Sequence, residues 1–168
     1  MAKVGDHIPD VDVRVMNPEG RPETVRTSRL LGSGKVVLFA VPGAFTPGCS
    51  RTHLPGYVAN ADDLRAKGVS TIACIAVNDA YVMDAWSKDQ SADGKVLMLA
   101  DGNGDFAEAM DLVMDGSGFG LGKRSKRYAA VIEDGVITSL DVEETGGITV
   151  SACEAPVSYT HLTLPTKA

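Results

Sequence analysis

Val36-Val37-Leu38-Phe39-Ala40-Val41 is an unbroken apolar run, and it leads directly into Pro42-Gly43-Ala44-Phe45-Thr46-Pro47-Gly48-Cys49. An apolar run this short, without polar alternation, reads as a β-strand covered on both faces, the pattern of a strand inside a parallel sheet. Beyond the loop, Leu54, Tyr57, Val58, Ala61 and Leu64 recur at helical spacing and define one apolar face. The order is therefore buried strand, tight loop, then a cysteine at the entry of a helix. Backbone N–H groups in a first helical turn lack intrahelical partners and form the positive end of the helix dipole. A thiol placed there is expected to lean toward the reactive thiolate. Pro55-Gly56 predicts a kink or restart in that helix.

Working outward, residues 11–15 alternate with period two and read as a strand, and Asn17-Pro18-Glu19-Gly20 is turn chemistry. Residues 23–27 form the expected return strand, and 28–34 are read as a loop. Downstream, Gly68 closes the helix and residues 70–77 predict a second apolar strand. Asn78-Asp79 can cap a helix reaching about Asp89, with Val82, Met83 and Trp86 inward. Residues 96–100 predict a third buried strand, followed by a short helix containing Phe106, Ala109 and Met110. Residues 127–133 and 136–141 flank Asp134-Gly135, a two-residue hairpin signal. The sum is an α/β fold, a mixed central sheet flanked by helices.

One domain is expected, over residues 1–155. Ser151-Ala152-Cys153-Glu154 has the form of a capping box that would open a last helix, yet Pro156 interrupts it. Residues 156–168 have no helical period, and 157–166 resemble a translated sequencing-library adapter, so this tail is read as non-native.

The chain has 168 residues, 44% of them hydrophobic, and a net charge of −6. That balance argues against nucleic acid or an anionic membrane as partner, since both select a basic face. No apolar run approaches the roughly 20 residues of a membrane span. Three widely spaced cysteines do not make a disulfide framework. With no apolar leader visible in the first ten residues, the expected setting is a reducing cytoplasm.

Pro42, Thr46 and Cys49 stand in a Pro-x-x-x-Thr-x-x-Cys spacing, and the string PGAFTPGCSRTHLPGY (42–57) resembles the type II, peroxiredoxin-5-like branch of the peroxiredoxins. Two further blocks agree, ACIAVNDAYVMDAW (73–86) and GFGLGKRSKRYAAVIEDG (118–135). The resemblance implies a thioredoxin-like fold and a thiol-dependent peroxidase that reduces hydrogen peroxide and small organic hydroperoxides. It implies that Cys49 is the nucleophile, passing through a sulfenic acid, and that Thr46 hydrogen-bonds the peroxide. Pro42 would shield the sulfur, and Arg127, at the start of a late strand, would stabilise the thiolate and the reacting oxygens. Arg124 is the alternative arginine. Alternation sets Arg127, Ala129 and Val131 on one face and Tyr128, Ala130 and Ile132 on the other.

The resolving thiol is open between Cys74, used in plant members, and Cys153, close to the animal position. Failing both, recycling falls to an external thiol such as glutathione, glutaredoxin or thioredoxin. The resemblance also implies a homodimer packed near the active-site loop, and no metal, haem or flavin.

Competing readings are weaker. Cys49 and His53 have the spacing of two metal ligands on one helical face, but no second pair is near in sequence, and His53 reads as structural. Asp101, Asn103 and Asp105 mimic an EF-hand start, but Phe106 replaces its glycine. Residues 116–123 are glycine-rich without the P-loop pattern. A disulfide oxidoreductase is disfavoured because Gly48 precedes Cys49 without a second cysteine in a Cys-x-x-Cys pair. A redox-sensing binding module without fast peroxidase activity is the non-enzymatic alternative.

Overall fold

The computed structural model describes residues 1–144 and 151–152. The chain opens with β1 (Asp12–Met16) and β2 (Pro22–Arg26), followed by the short helix α1 (Thr27–Leu31) and β3 (Lys35–Ala40). After the Pro42 to Gly48 loop comes a π-helical turn, Cys49–His53, continued by α2 (Leu54–Ala59) and α3 (Ala61–Ala66). β4 (Val69–Ala76), α4 (Ala80–Asp89), β5 (Leu97–Ala100) and α5 (Asp105–Met110) complete the α/β part. β6 (Val113–Asp115) and β7 (Lys123–Ser125) pair in a small separate sheet, and β8 (Tyr128–Glu133) and β9 (Val136–Val142) form the late hairpin.

Among the described residues, seven strands make the main sheet in the order β2-β1-β5-β4-β3-β8-β9. β3, β4 and β5 run parallel at its centre, and antiparallel strands close both sides. Side chains alternate across this sheet, so it carries two cores. On one face Val37, Phe39, Cys74, Ala129 and Val131 pack with Cys49, Leu54, Tyr57, Met83 and Trp86. On the other, Val36, Leu38, Ala40, Ala130 and Ile132 pack with Leu31, Phe106 and Met110. The face that holds Ala129 and Val131 is thus the face that holds Cys49, as the alternation requires of Arg127.

One expectation needs correction. Residues 28–34 are not all loop: α1 starts at Thr27, where the Thr27 hydroxyl donates to Pro9 O at 2.5 Å, and Leu31 is buried. Five residues without a capping side chain leave no helix signal to read. In α5 the inward residues are Phe106, Ala107 and Met110, and Ala109 is exposed. Cys153 and the tail lie outside the described residues.

The predicted restart at Pro55 takes a specific form. Proline cannot donate to the carbonyl four residues back, and its ring crowds that carbonyl. The turn before it widens, and Leu54 N–H bonds Cys49 O, five residues back.

Candidate active site

Cys49 is fully buried at the first position of the π turn. Arg127 approaches from the residue before β8, where it is 8% exposed, and its Nη2 donates to Cys49 Sγ at 3.1 Å. The other terminal nitrogen, Nη1, bonds His53 Nδ1 at 2.9 Å. A guanidinium can only donate, so Nδ1 accepts and the imidazole proton sits on Nε2. Nε2 in turn donates to Ser151 O at 2.9 Å, an oxygen that also accepts from the Tyr57 hydroxyl at 2.9 Å. Tyr57 stacks on Phe39 of β3 with ring centroids 3.9 Å apart.

Behind this relay, the Glu143 carboxylate accepts from Ser151 N and Oγ at 2.8 and 2.6 Å, and Glu143 N–H donates to Arg127 O at 2.9 Å. A chain of hydrogen bonds therefore runs from the sulfur through Arg127 and His53 to the segment that follows β9. Burial, and then the positive charge of Arg127, hold the His53 pKa down at about 4, partly opposed by its bond to Ser151 O and by Glu143. His53 is neutral near pH 7.

The loop before Cys49 is held with equal care. The Thr46 hydroxyl donates to Gly43 O at 2.7 Å, and Thr46 O accepts from Ser50 N at 2.9 Å. With its proton so used, the hydroxyl can meet a ligand only as an acceptor. Ala44 N donates to Asn78 Oδ1 at 2.9 Å. Phe45, between them, has φ +66°, a backbone region that a bulky residue rarely enters. Such strain is kept where surrounding structure over-determines it, commonly at functional sites. Pro42 and Thr46 are half-buried on this loop. On the far side of the π turn, Trp86 Nε1 of α4 donates to Ser50 Oγ at 2.9 Å.

Sequence reasoning brought Pro42, Thr46, Cys49 and Arg127 to one place, and the fold does put the loop, the thiol and the guanidinium together. It missed Ser151, Glu143 and the Trp86–Ser50 tether, which join residues far apart in the chain. A buried tryptophan seeking a partner for its N–H was the one available clue. His53 was read as structural; it is the link between Arg127 and Ser151. The Cys49–His53 pair is no metal site, since a guanidinium already bridges the two, and no metal-binding cluster occurs among the described residues.

Arg124, the alternative arginine, bonds Leu121, Val77 and Pro42 carbonyls, and it is Arg127 that bonds the sulfur. Cys74 is buried in β4, in register with Phe39 of β3 and Met98 of β5. Burial, and next the nearby Cys49, push its thiol pKa well up. Cys49 and Cys74 are both free thiols.

A redoxin family profile matches residues 3–156. The chain is 47% identical over 154 residues to the chloroplastic peroxiredoxin-2E of Arabidopsis thaliana, covering 90% of this chain and 66% of that protein. It is 48% identical over 155 residues to the chloroplastic peroxiredoxin-2E-2 of Oryza sativa subsp. japonica, covering 90% and 69%. The crystal structure of reduced Prx3 from Vibrio vulnificus in complex with hydrogen peroxide superposes with a TM-score of 0.91 at 46% identity, covering 95% of this chain and 99% of that one.

The plant relatives overturn the cytoplasmic expectation: both are named as chloroplastic. The number and spacing of cysteines bear on redox setting and carry no signal that separates one compartment from another, so composition could not make that distinction. From the profile, the relatives and the shared fold together, the chain belongs to the redoxin family and, within it, to the type II peroxiredoxins, thiol-dependent peroxidases that reduce peroxides with a cysteine.

Proposed function

We propose that Cys49 carries the peroxidase reaction of this chain, acting on hydrogen peroxide and small organic hydroperoxides. The observation that carries this is the 3.1 Å bond from Arg127 to a buried Cys49 sulfur at the end of a parallel strand and its loop. The guanidinium favours the thiolate and offers charge-assisted hydrogen bonds to oxygen. The sulfur donates an electron pair to the terminal peroxide oxygen, an S–O bond forms as the O–O bond breaks, and hydroxide or alkoxide leaves and takes a proton from water. Thr46 and the backbone N–H groups near Gly48 and Cys49 hold the two oxygens in line, while Pro42 limits access of bulk water. A thiol then attacks the sulfenic acid, expelling water and leaving a disulfide.

Among the described residues, Cys74 is the other thiol, and it lies in the same core cluster as Cys49. Its place between two strands means that the π turn must open before the two sulfurs can bond. The external donor is a small or protein thiol of the glutathione/glutaredoxin or thioredoxin kind. The loops that present Phe45 (51% exposed) and Phe119 (87% exposed) supply an apolar homodimer face beside the site.

The test is mass spectrometry of the reduced protein, quenched with a thiol-blocking reagent milliseconds to seconds after one equivalent of hydrogen peroxide. Cys49 is expected to oxidise first, and Arg127→Gln to slow that step by at least about a hundredfold with the fold intact. A disulfide from Cys49 to Cys74 or to Cys153 identifies the internal route and its thiol; an unpaired sulfenic acid identifies an external thiol. Oxidation of Cys49 no faster than free cysteine, or unchanged rates in Arg127→Gln, would overturn the assignment and favour the sensor reading.

A further inference from the structure

We propose that Arg124 is a positioning residue for the peroxide-binding loop, clasping the ends of two parallel strands to the glycine loop so that residues 42–46 keep one geometry around Cys49. This rests on Cys49 being the peroxide-reducing thiol. Arg124 Nε donates to Leu121 O at 2.9 Å, and Nη1 donates to Val77 O at 3.3 Å and Pro42 O at 3.4 Å. Pro42 lies two residues past β3, Val77 one residue past β4, and Leu121 in the loop before β7. Three segments distant in sequence therefore meet on one side chain.

A planar fork with five donors can span three carbonyls, whereas a lysine ammonium offers a single charged point. The approach is close enough to dictate a neighbouring residue. A methyl group on Gly43 would stand 3.1 Å from Arg124 Nη1 and 3.3 Å from Thr46 Cγ2, so either the guanidinium or Thr46 would have to shift.

From the clasp to the chemistry is a short path. Gly43 O accepts the Thr46 hydroxyl at 2.7 Å, and Thr46 O accepts Ser50 N, the residue after Cys49, at 2.9 Å. The second tie of the loop, Ala44 N to Asn78 Oδ1 at 2.9 Å, ends on the residue after Val77. Both ties thus run to the same β4–α4 corner, and they fix the loop while Arg127 meets the sulfur. Arg124 therefore governs the oxygen cradle and leaves the thiol to Arg127.

That division predicts a selective defect. Peroxide needs thiol and cradle together; iodoacetamide needs only the thiol. Second-order rates of Cys49 with hydrogen peroxide and with iodoacetamide are to be measured for the parent, Arg124→Lys and Gly43→Ala, with the far-ultraviolet spectrum and unfolding midpoint as fold controls. Both variants are expected to lose at least about tenfold in the peroxide rate and to stay within about twofold in alkylation. A peroxide rate within about twofold of the parent in either folded variant overturns the proposal, as does a proportionate loss of both rates. Should Arg124→Lys fail to fold, Gly43→Ala, which keeps the arginine, decides alone. A parent Cys49 no faster than free cysteine toward peroxide would instead remove the peroxidase assignment, and the clasp with it.

Discussion

His53 shows how one side chain can be tuned by where its neighbours leave it room to donate. Arg127 takes Nδ1 and Ser151 takes the proton on Nε2, so both nitrogens are occupied only while the ring is neutral. A second proton would face the guanidinium in a buried site, which is why the pKa is held at about 4. The unfolded chain takes that proton near pH 6.5. Between those values the unfolded state binds more protons than the native one, so stability present at neutral pH is lost as pH falls from about 6.5 toward 4, by up to about 3 kcal/mol. Urea unfolding at pH 7 and pH 4.5 checks this, and His53→Gln should flatten the dependence. The spacing of Pro42, Thr46 and Cys49 was legible because it sits in eight consecutive residues. Glu143 and Ser151 were not, because a buried carboxylate bonded to a backbone N–H has no signature until the chain is folded.

At the level of elements, the π turn Cys49–His53 is the least ordinary part of the chain. It is anchored from α4 by the Trp86–Ser50 bond and continued by α2 after Pro55. Trp86 is fully buried, so replacing Ser50 by alanine strands an indole N–H in the core. Ser50→Ala is expected to cost about 1–3 kcal/mol in chemical denaturation.

The long apolar strands and the Asp134-Gly135 hairpin were readable because pattern and turn chemistry agree; Asp134 and Gly135 take φ +49° and +83°, as such a turn needs. α1, β6 and β7 were missed, since three to five residues hold too few repeats to reveal a period. The π turn has the composition of an α-helix and differs from it by one hydrogen-bond step, which only the constraint at Pro55 hints at.

For the whole molecule, the parallel strands β3 and β4 end at a common edge, and the loop of residues 42–46, Val77 and Asn78 converge there. This is the edge at which open α/β sheets usually hold their chemistry. The α/β class followed from the order of apolar runs, whereas the strand order β2-β1-β5-β4-β3-β8-β9 depends on pairings between distant segments that no local pattern encodes.

Arg124 draws the loop of Phe45 and the loop of Phe119 together, and both rings face solvent. A second copy covering them would remove apolar surface from water, so sedimentation should show a dimer that Phe119→Glu weakens by about tenfold or more in dissociation constant. A monomeric parent would end that reading.

Trp86 is the only tryptophan in the chain, and its indole N–H is bound to the residue next to Cys49. The protein thus carries its own optical probe: a rearrangement of the turn around the sulfur is expected to change the emission of one buried fluorophore, so that oxidation at Cys49 can be sought in real time without a label.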